Sequence, residues 1–397
     1  MAATTQRNRK YNNMDGVLQT ILKTHISLSD EEVKKSNAIL HEILEQIINK
    51  IKEIDPMFAQ IYSHFLYGGS FYDGLKIIHP DEYDIHILLN LPSKAQNKVI
   101  VSNVPGFVHV QFMYNLAEIF TGNLKGFEKL VSKNKFLESS KLRQWMEKLF
   151  QKALNSLPKN GSKYSIQTSH GTFGVSLKKT GPAFTMHIET NDFPIDVDLV
   201  PCFIMNDSQW PNKDFRLNPF PTSNPNFYIV PKQPKGMSVP NDHYWLVNLQ
   251  VQERQLIRGC LHLKPAIKLL KKMKLYLKHD KIASYYIKTV GLWTVDEHQN
   301  DSTFYQSSLS YVFMTLLKKY HDYLSKKCIP YYWNKHYNLI KQVNPNAVDN
   351  IKNKIAKIIK EVEEKVDQDP FVIAKYLITE EEVIALRIRR LAIGGSS

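Results

Sequence analysis

The sequence predicts an α+β chain in which one long helix precedes a strand-rich lobe and a helical lobe follows, and three observations carry that expectation. Apolar residues recur at helical spacing from Val33 through Ile39, Leu40, Ile43, Leu44, Ile47 and Ile48 to Ile51. Short apolar or alternating runs then appear at 85–91, 107–115, 184–188 and 193–200, the lengths of strands. From Trp245 onward helical periodicity dominates, clearest in Val348, Ile351, Ile355, Ile358, Ile359, Val362 and Val366 with lysines off the stripe.

Each element has a local reason. Ser29 followed by Glu32 is a capping-box pattern that starts the first long helix. Ile85-His86-Ile87-Leu88-Leu89-Asn90-Leu91 is stopped by Pro92 and reads as a buried strand. Leu130, Phe136, Leu142, Trp145, Leu149 and Phe150 suggest a helical region from about 125 to 157. Proline and asparagine crowd the stretch from Pro211 to Asn241, which reads as a linker. The organisation expected is a basic disordered tail at 1–13, a core lobe with its spine helix at 14–215, an inter-lobe linker at 216–244, a helical lobe at 245–370 and a C-terminal tail at 371–397.

Composition narrows the class. A chain of 397 residues, 43% of them hydrophobic, can bury a large core in two or three units. With 52 basic and 38 acidic residues the net charge is +14, which suggests a polyanionic partner. Cys202, Cys260 and Cys328 are too scattered for a disulfide framework or a structural zinc, and fit a reducing compartment. The polar start, Met1 to Asn13, lacks a signal-peptide core, and no apolar run approaches the roughly 18 residues of a membrane span. The expected location is the cytoplasm, extending to the nucleus, with no membrane partner.

The chemistry sits in Gly68-Gly69-Ser70 and, twelve residues on, Glu82-Tyr83-Asp84. On a strand Glu82 and Asp84 share one face, and paired carboxylates repel unless a cation joins them. A hard divalent ion is held by such oxygens together with substrate phosphates, while a small turn ending in Ser offers N–H groups to those phosphates. This pattern reads as a nucleotidyltransferase. Ile195-Asp196-Val197-Asp198 supplies a third carboxylate, since acids inside an apolar strand need compensation. Asp196 and Asp198 share a face, so alternation does not choose between them.

The ordered blocks Gly69–Tyr72 with Pro80–Asp84, Ile195–Val200, Phe227–Lys232, Trp245–Glu253 and Ala283–Thr289 resemble the family of cyclic GMP-AMP synthase and the animal cyclic GMP-AMP synthase-like receptors. The resemblance runs from the long helix to about residue 370 and is nearest to the insect members that sense double-stranded RNA. It implies a bilobal nucleotidyltransferase fold, a mixed-sheet lobe with a long spine helix joined to a helical C-terminal lobe.

Within that family pattern the third carboxylate falls on Asp198. Glu82, Asp84 and Asp198 would hold two Mg²⁺, with Mn²⁺ as a substitute, about 3.5–4 Å apart. Nucleotide contacts would fall on Gly69, Ser70, Asn248, Gln250, Glu253, Lys271, Ser284 and Tyr285, the last stacking on a base. Tyr285 equally suits helix packing, Lys271 a solvated face, and Ser70 closing of the turn. Leu246 replaces the founder's arginine. The founder's His/Cys zinc insertion has no counterpart, since Arg254–Ile267 holds only Cys260 and His262.

The implied activity joins ATP and GTP into a cyclic dinucleotide, cyclic GMP-AMP, in innate antiviral defence. The product would signal to a STING-type receptor. Double-stranded RNA, rather than DNA, would activate, with a ligand-induced dimer as a further expectation. Lys34, Lys35, Lys50, Lys52, Lys133, Lys135, Lys141 and Arg143 are the candidate nucleic-acid contacts, for each of which a plain solvated face is the alternative. A template-independent linear oligonucleotide synthetase and a catalytically silent nucleic-acid-binding member are the competing readings.

Overall fold

The computed structural model describes residues 10–115, 120–180, 183–190, 192–211, 214–234, 242–299 and 301–394. The chain resolves into two compact units, one of residues 29–73 and 79–252, the other of residues 1–28, 74–78 and 253–397. Of the tail expected at 1–13, residues 1–9 lie outside the described residues, and helix α1 (Asn12–Ile21) begins within its last positions. Met14, Val17, Leu18 and Ile21 of α1 are buried, and Asp15 accepts the Ser310 backbone N–H at 2.8 Å.

Helix α2 (Asp30–Ile54) is the long helix the sequence predicts, started by Ser29, whose hydroxyl accepts the Glu32 N–H. Its stripe from Ile39 to Ile51 is buried. A short helix α3 (Pro56–Ile61) and strand β1 (Tyr62–Gly68) then lead to the single helical turn α4 (Gly69–Tyr72). Strands β2 (Glu82–Asn90), β3 (Asn97–Val101) and β4 (Phe107–Phe112) follow.

The helical region expected from about 125 is shorter than its apolar pattern. Gly126 and Lys135 take left-handed backbone conformations that interrupt it, and helix α5 starts only at Ser139 (Ser139–Asn155). Strands β5 (Lys159–Asn160), β6 (Lys163–Thr168), β7 (Gly171–Thr180), β8 (Ala183–Glu189) and β9 (Ile195–Asn206) come next. The segment 216–244, expected as a linker, contains β10 (Asn226–Val230), and β11 (Trp245–Asn248) follows where helices were expected to begin. Both strands are short apolar runs that make sense only as interior ladders; residues 235–241 lie outside the described ones.

These eleven strands form one mixed sheet organised by β9. One edge of β9 pairs in parallel with β2 over its length, from Asp196 beside Glu82 to Ile204 beside Asn90. Its other edge pairs antiparallel with β8 up to Leu199 and with β10 from Phe203 onward. Pro201 falls in the gap between those two partners, where a missing N–H removes no ladder bond.

The second unit continues with helices α6 (Gln250–Leu256, shared at the boundary), α7 (Leu263–Tyr276), α8 (Ser284–Glu297), α9 (Leu309–Ser325) and α10 (Pro345–Lys365). The stripe Val348, Ile351, Ile355, Ile358 and Val362 of α10 is buried, as its spacing predicts. The tail expected from 371 carries another helix, α11 (Glu380–Gly394), opened by three glutamates.

Candidate active site

Strand register decides which side chains meet. Gly68, Asp84, Asp198 and Thr185 form one rung across β1, β2, β9 and β8. Glu82, Asp196 and His187 form the rung two residues earlier, which presents its side chains on the same face. Paired strands lie about 4.8 Å apart, so Asp84 and Asp198 stand side by side on one face. Glu82 reaches the same face from the diagonal position, about 7–8 Å from Asp198 along the backbone. The two acids of β9 are thus distinguished by their partners. Thr185 Oγ1 donates to Asp198 Oδ1 at 2.5 Å, and His187 Nδ1 lies 2.7 Å from Asp196 Oδ1.

The glycine pair is explained by what lies against it. A Cβ on Gly69, whose φ is +67°, would stand 1.8 Å from Asp84 Oδ2. A Cβ on Gly68 would stand 2.1 Å from Gln250 Oε1. The Asp84 carboxylate therefore rests directly against the backbone of the turn that carries Ser70. Gln250 supports the turn from inside the unit. It is buried, and its amide nitrogen lies 3.0 Å from His86 Nδ1. Burial pushes the His86 imidazole down to about 4, so the ring is neutral.

The turn is also tied to α2. Tyr72 donates from its hydroxyl to Asn37 Oδ1 at 3.0 Å. The Phe71 ring packs 4.5 Å from that of Tyr83, which is wholly buried with its hydroxyl pushed up to about 12.

Asp84, Asp198 and Glu82 are hard oxygen donors on one face, the donor chemistry of a divalent Mg²⁺-type ion rather than of a soft metal. Among the described residues no three His, Cys, Asp or Glu side chains already stand at ligating distance. The backbone spacing puts Asp84 and Asp198 within reach of a shared ion by side-chain rotation. The residues present therefore fit the cation, although their side chains are not gathered around a single point.

The sequence matches the model of the Mab-21 protein nucleotidyltransferase domain over residues 71–259, and that of the Mab-21 protein HhH/H2TH-like domain over residues 262–357. It is 41% identical to a cyclic GMP-AMP synthase-like receptor of Tribolium castaneum over 93% of both chains. A cyclic GMP-AMP synthase-like receptor of Aethina tumida is 40% identical, over 94% of this chain and 93% of its own, and one of Ctenocephalides felis is 33% identical, over 96% and 91%. The chain belongs to the cyclic GMP-AMP synthase-like receptors. It is a nucleotidyltransferase, with divalent metal as the cofactor class of its kind.

The other residues expected to touch nucleotide in this receptor are mostly engaged by the protein. Lys271 is buried and donates from Nζ to the Leu75 carbonyl at 2.7 Å, because a buried ammonium needs an acceptor. Glu253 is buried beside Lys288 Nζ at 2.7 Å, and accepts from Tyr285 Oη at 2.8 Å and Trp333 Nε1 at 2.9 Å. Burial, followed by the Glu253 charge, pushes the Tyr285 hydroxyl well up. Asn248 Oδ1 accepts the Gln250 N–H, closing the start of α6. Ser284, at the start of α8, is exposed.

The basic candidates divide likewise. Lys35 pairs with Asp192 and Lys50 with Glu53, while Lys52 lies over the Tyr62 ring. Lys141 pairs with Glu138, and Lys135 Nζ donates to the Met113 carbonyl at 3.3 Å. Arg143 is partly buried, whereas Lys34 and Lys133 are exposed. Among the described residues no helix is long and apolar enough to cross a membrane. Thr185 and Asn37 were not legible as site residues, since their placement depends on pairings distant in sequence.

Proposed function

We propose that this receptor is a nucleic-acid-activated cyclic dinucleotide synthase that joins ATP and GTP into cyclic GMP-AMP. The observation that carries the reading is the rung placing Asp84 beside Asp198, with Gly69 closed against the Asp84 carboxylate. Glu82, Asp84 and Asp198 hold the divalent ions, Mg²⁺ or Mn²⁺, which supply activation of the attacking ribose hydroxyl and charge neutralisation at the leaving pyrophosphate. Thr185 fixes the orientation of Asp198 through its hydrogen bond. The N–H groups around Gly69 and Ser70 receive the triphosphate, and the turn's tie to Asn37 fixes their direction. Tyr285 and the exposed Ser284 take a base and Lys271 the phosphates, Tyr285 and Lys271 once freed from Glu253 and the Leu75 carbonyl. Double-stranded RNA docks on the basic residues of α2 and of the segment before and into α5. Its product acts on a STING-type receptor, and the enzyme works in the cytosol as a ligand-induced dimer.

The test is incubation of the pure protein with labelled ATP and GTP, Mg²⁺ or Mn²⁺, and duplex RNA or DNA in separate reactions, followed by chromatography and linkage mapping. Cyclic dinucleotide formed with RNA is the expected outcome. Linear oligomers would overturn the product assignment. No metal-dependent nucleotide consumption with any duplex would overturn the catalytic one.

A further inference from the structure

The sheet face that begins with the carboxylates continues past them. Along β2 the same side carries Glu82, Asp84, His86, Leu88 and Asn90. Leu88 packs with Cys202, Tyr228 and Val230 in a small buried cluster that closes this face behind His86 and Gln250. Beyond that cluster the face opens into a cavity of about 520 Å³, lying wholly within the sheet-bearing unit. From Glu82 to Asn90 is about 26 Å of strand, so this cavity and the carboxylates occupy opposite ends of one face.

Apart from Ser93, the polar side chains of the lining are all carboxamides. Asn90, Gln96 and Asn226 bring three carboxamides to the cavity, and among the described residues no Lys, Arg, Asp or Glu lines it. No hydrogen-bond partner of these three side chains is found among the described residues. The neighbouring amides are by contrast locked. Gln209 Nε2 donates to Asn97 Oδ1 at 2.8 Å, and Asn97 Nδ2 to the Ala95 carbonyl at 3.0 Å. Asn206 and Gln209 bond reciprocally in a capping box. A fixed amide scaffold thus holds a set of open amides. Met113, 56% exposed, and Ile204 add apolar surface. Lys135 sits just outside, its Nζ on the Met113 carbonyl.

We infer that this cavity is a second binding site, for an uncharged nucleobase, with adenine the base it fits first. Asn and Gln side chains pair two-pronged with adenine through one donor and one acceptor. The Met113 thioether suits the edge or face of an aromatic ring. Among the described residues the lining carries no charge to partner a phosphate inside, while Lys135, on the Met113 carbonyl, can meet one outside. The site lies apart from the carboxylates and does not depend on their assignment. The base can arrive on a free nucleoside or nucleotide, or as an unpaired residue of a nucleic acid.

The test uses full-length protein carrying Asp84→Asn and Asp198→Asn, in EDTA, so that metal-dependent loading of the carboxylate site is removed. Titration calorimetry with adenosine, AMP, and duplex RNA with either blunt ends or one unpaired 3′ adenosine separates the sources. Saturable binding of adenosine or AMP, weakened at least tenfold by Gln96→Leu and by Asn226→Leu, is expected if free nucleosides are the source. Preference for the overhanging duplex, lost in the same variants, assigns the source to nucleic acid. Both variants lie at partly or fully exposed positions, and unchanged thermal midpoints confirm folding. If a variant does not fold, chemical-shift changes of the Asn90, Gln96 and Asn226 side-chain amides on adenosine addition to the parent protein give the same readout. The inference is overturned by no saturable binding to any probe, by affinities equal in parent and pocket variants, or by amide shifts elsewhere only.

Discussion

Gly69→Ala tests the joint between the turn and the first carboxylate. The substitution acts twice. Alanine at φ +67° is disfavoured by roughly 1–2 kcal/mol. Its Cβ would also stand 1.8 Å from Asp84 Oδ2, a separation no packed structure tolerates, so the carboxylate or the turn must move. Overpacking of that kind adds about 1–3 kcal/mol, for a total of about 2–5 kcal/mol. In a unit of this size each kcal/mol lowers the thermal midpoint by about 2–4 °C. The two contributions separate in a double-mutant cycle. With Asp84→Gly in place the Oδ2, Cγ and Cβ atoms that the new Cβ would meet at 1.8, 2.5 and 2.6 Å are all gone and only the backbone penalty remains, so the coupling energy should be about 1–3 kcal/mol. The assay is thermal unfolding of the four proteins, with nucleotide consumption measured in parallel; Gly69→Ala alone should lose turnover by displacing Asp84. Strict additivity of the two midpoint shifts, or a Gly69→Ala protein with full turnover, would refute the argument.

Three further outcomes are expected. Asp198→Asn should lower metal-dependent nucleotide turnover by at least about 10²-fold, whereas Asp196→Asn, which breaks a contact to His187 two rungs away, should retain most of it; equal losses would show that register does not separate the two acids. Glu253→Ala leaves Lys288 buried without its carboxylate, and should destabilise by about 3–5 kcal/mol in urea unfolding. His279 is buried with its imidazole pushed down to about 4 by burial and then by Lys274 and Lys354. The unfolded chain takes up a proton near 6.5 while the folded one does not. Stability should therefore be full above pH 6.5 and fall by about 3 kcal/mol as pH drops towards 4. The pH slope of unfolding should flatten in His279→Leu.

Much of the site was readable because it is local. Gly-Gly-Ser, Glu-x-Asp and Asp-x-Asp each sit within a few residues, and strand alternation puts their acids on one face. The long helix α2 and the α10 stripe were readable because periodicity over many residues is hard to mistake. What escaped was set by tertiary pairing. Strand β10 is an apolar run of a few residues inside the Pro- and Asn-rich stretch that reads as a linker, and it is a strand because β9 and β11 flank it. The helix expected from 125 failed because two left-handed residues break it, a backbone fact that apolar spacing does not encode. Lys271 and Glu253 carry charge, which suggests solvent and ligand, yet each is buried on an internal partner that lies far away in sequence.

The parallel pairing of β2 with β9 sets a timetable as well as a geometry. Asp84 and Asp198 are separated by roughly 110 residues of chain, and neither strand can complete that ladder alone. At a synthesis rate of about 5–20 residues per second, β2 emerges several seconds before its partner exists. During that interval it waits with one flank occupied by β1 and the other bare. A ribosome that stalls before β9 leaves a half-built sheet whose open flank invites the wrong strand, so the enzyme's vulnerability to aggregation is concentrated in the middle of its own translation.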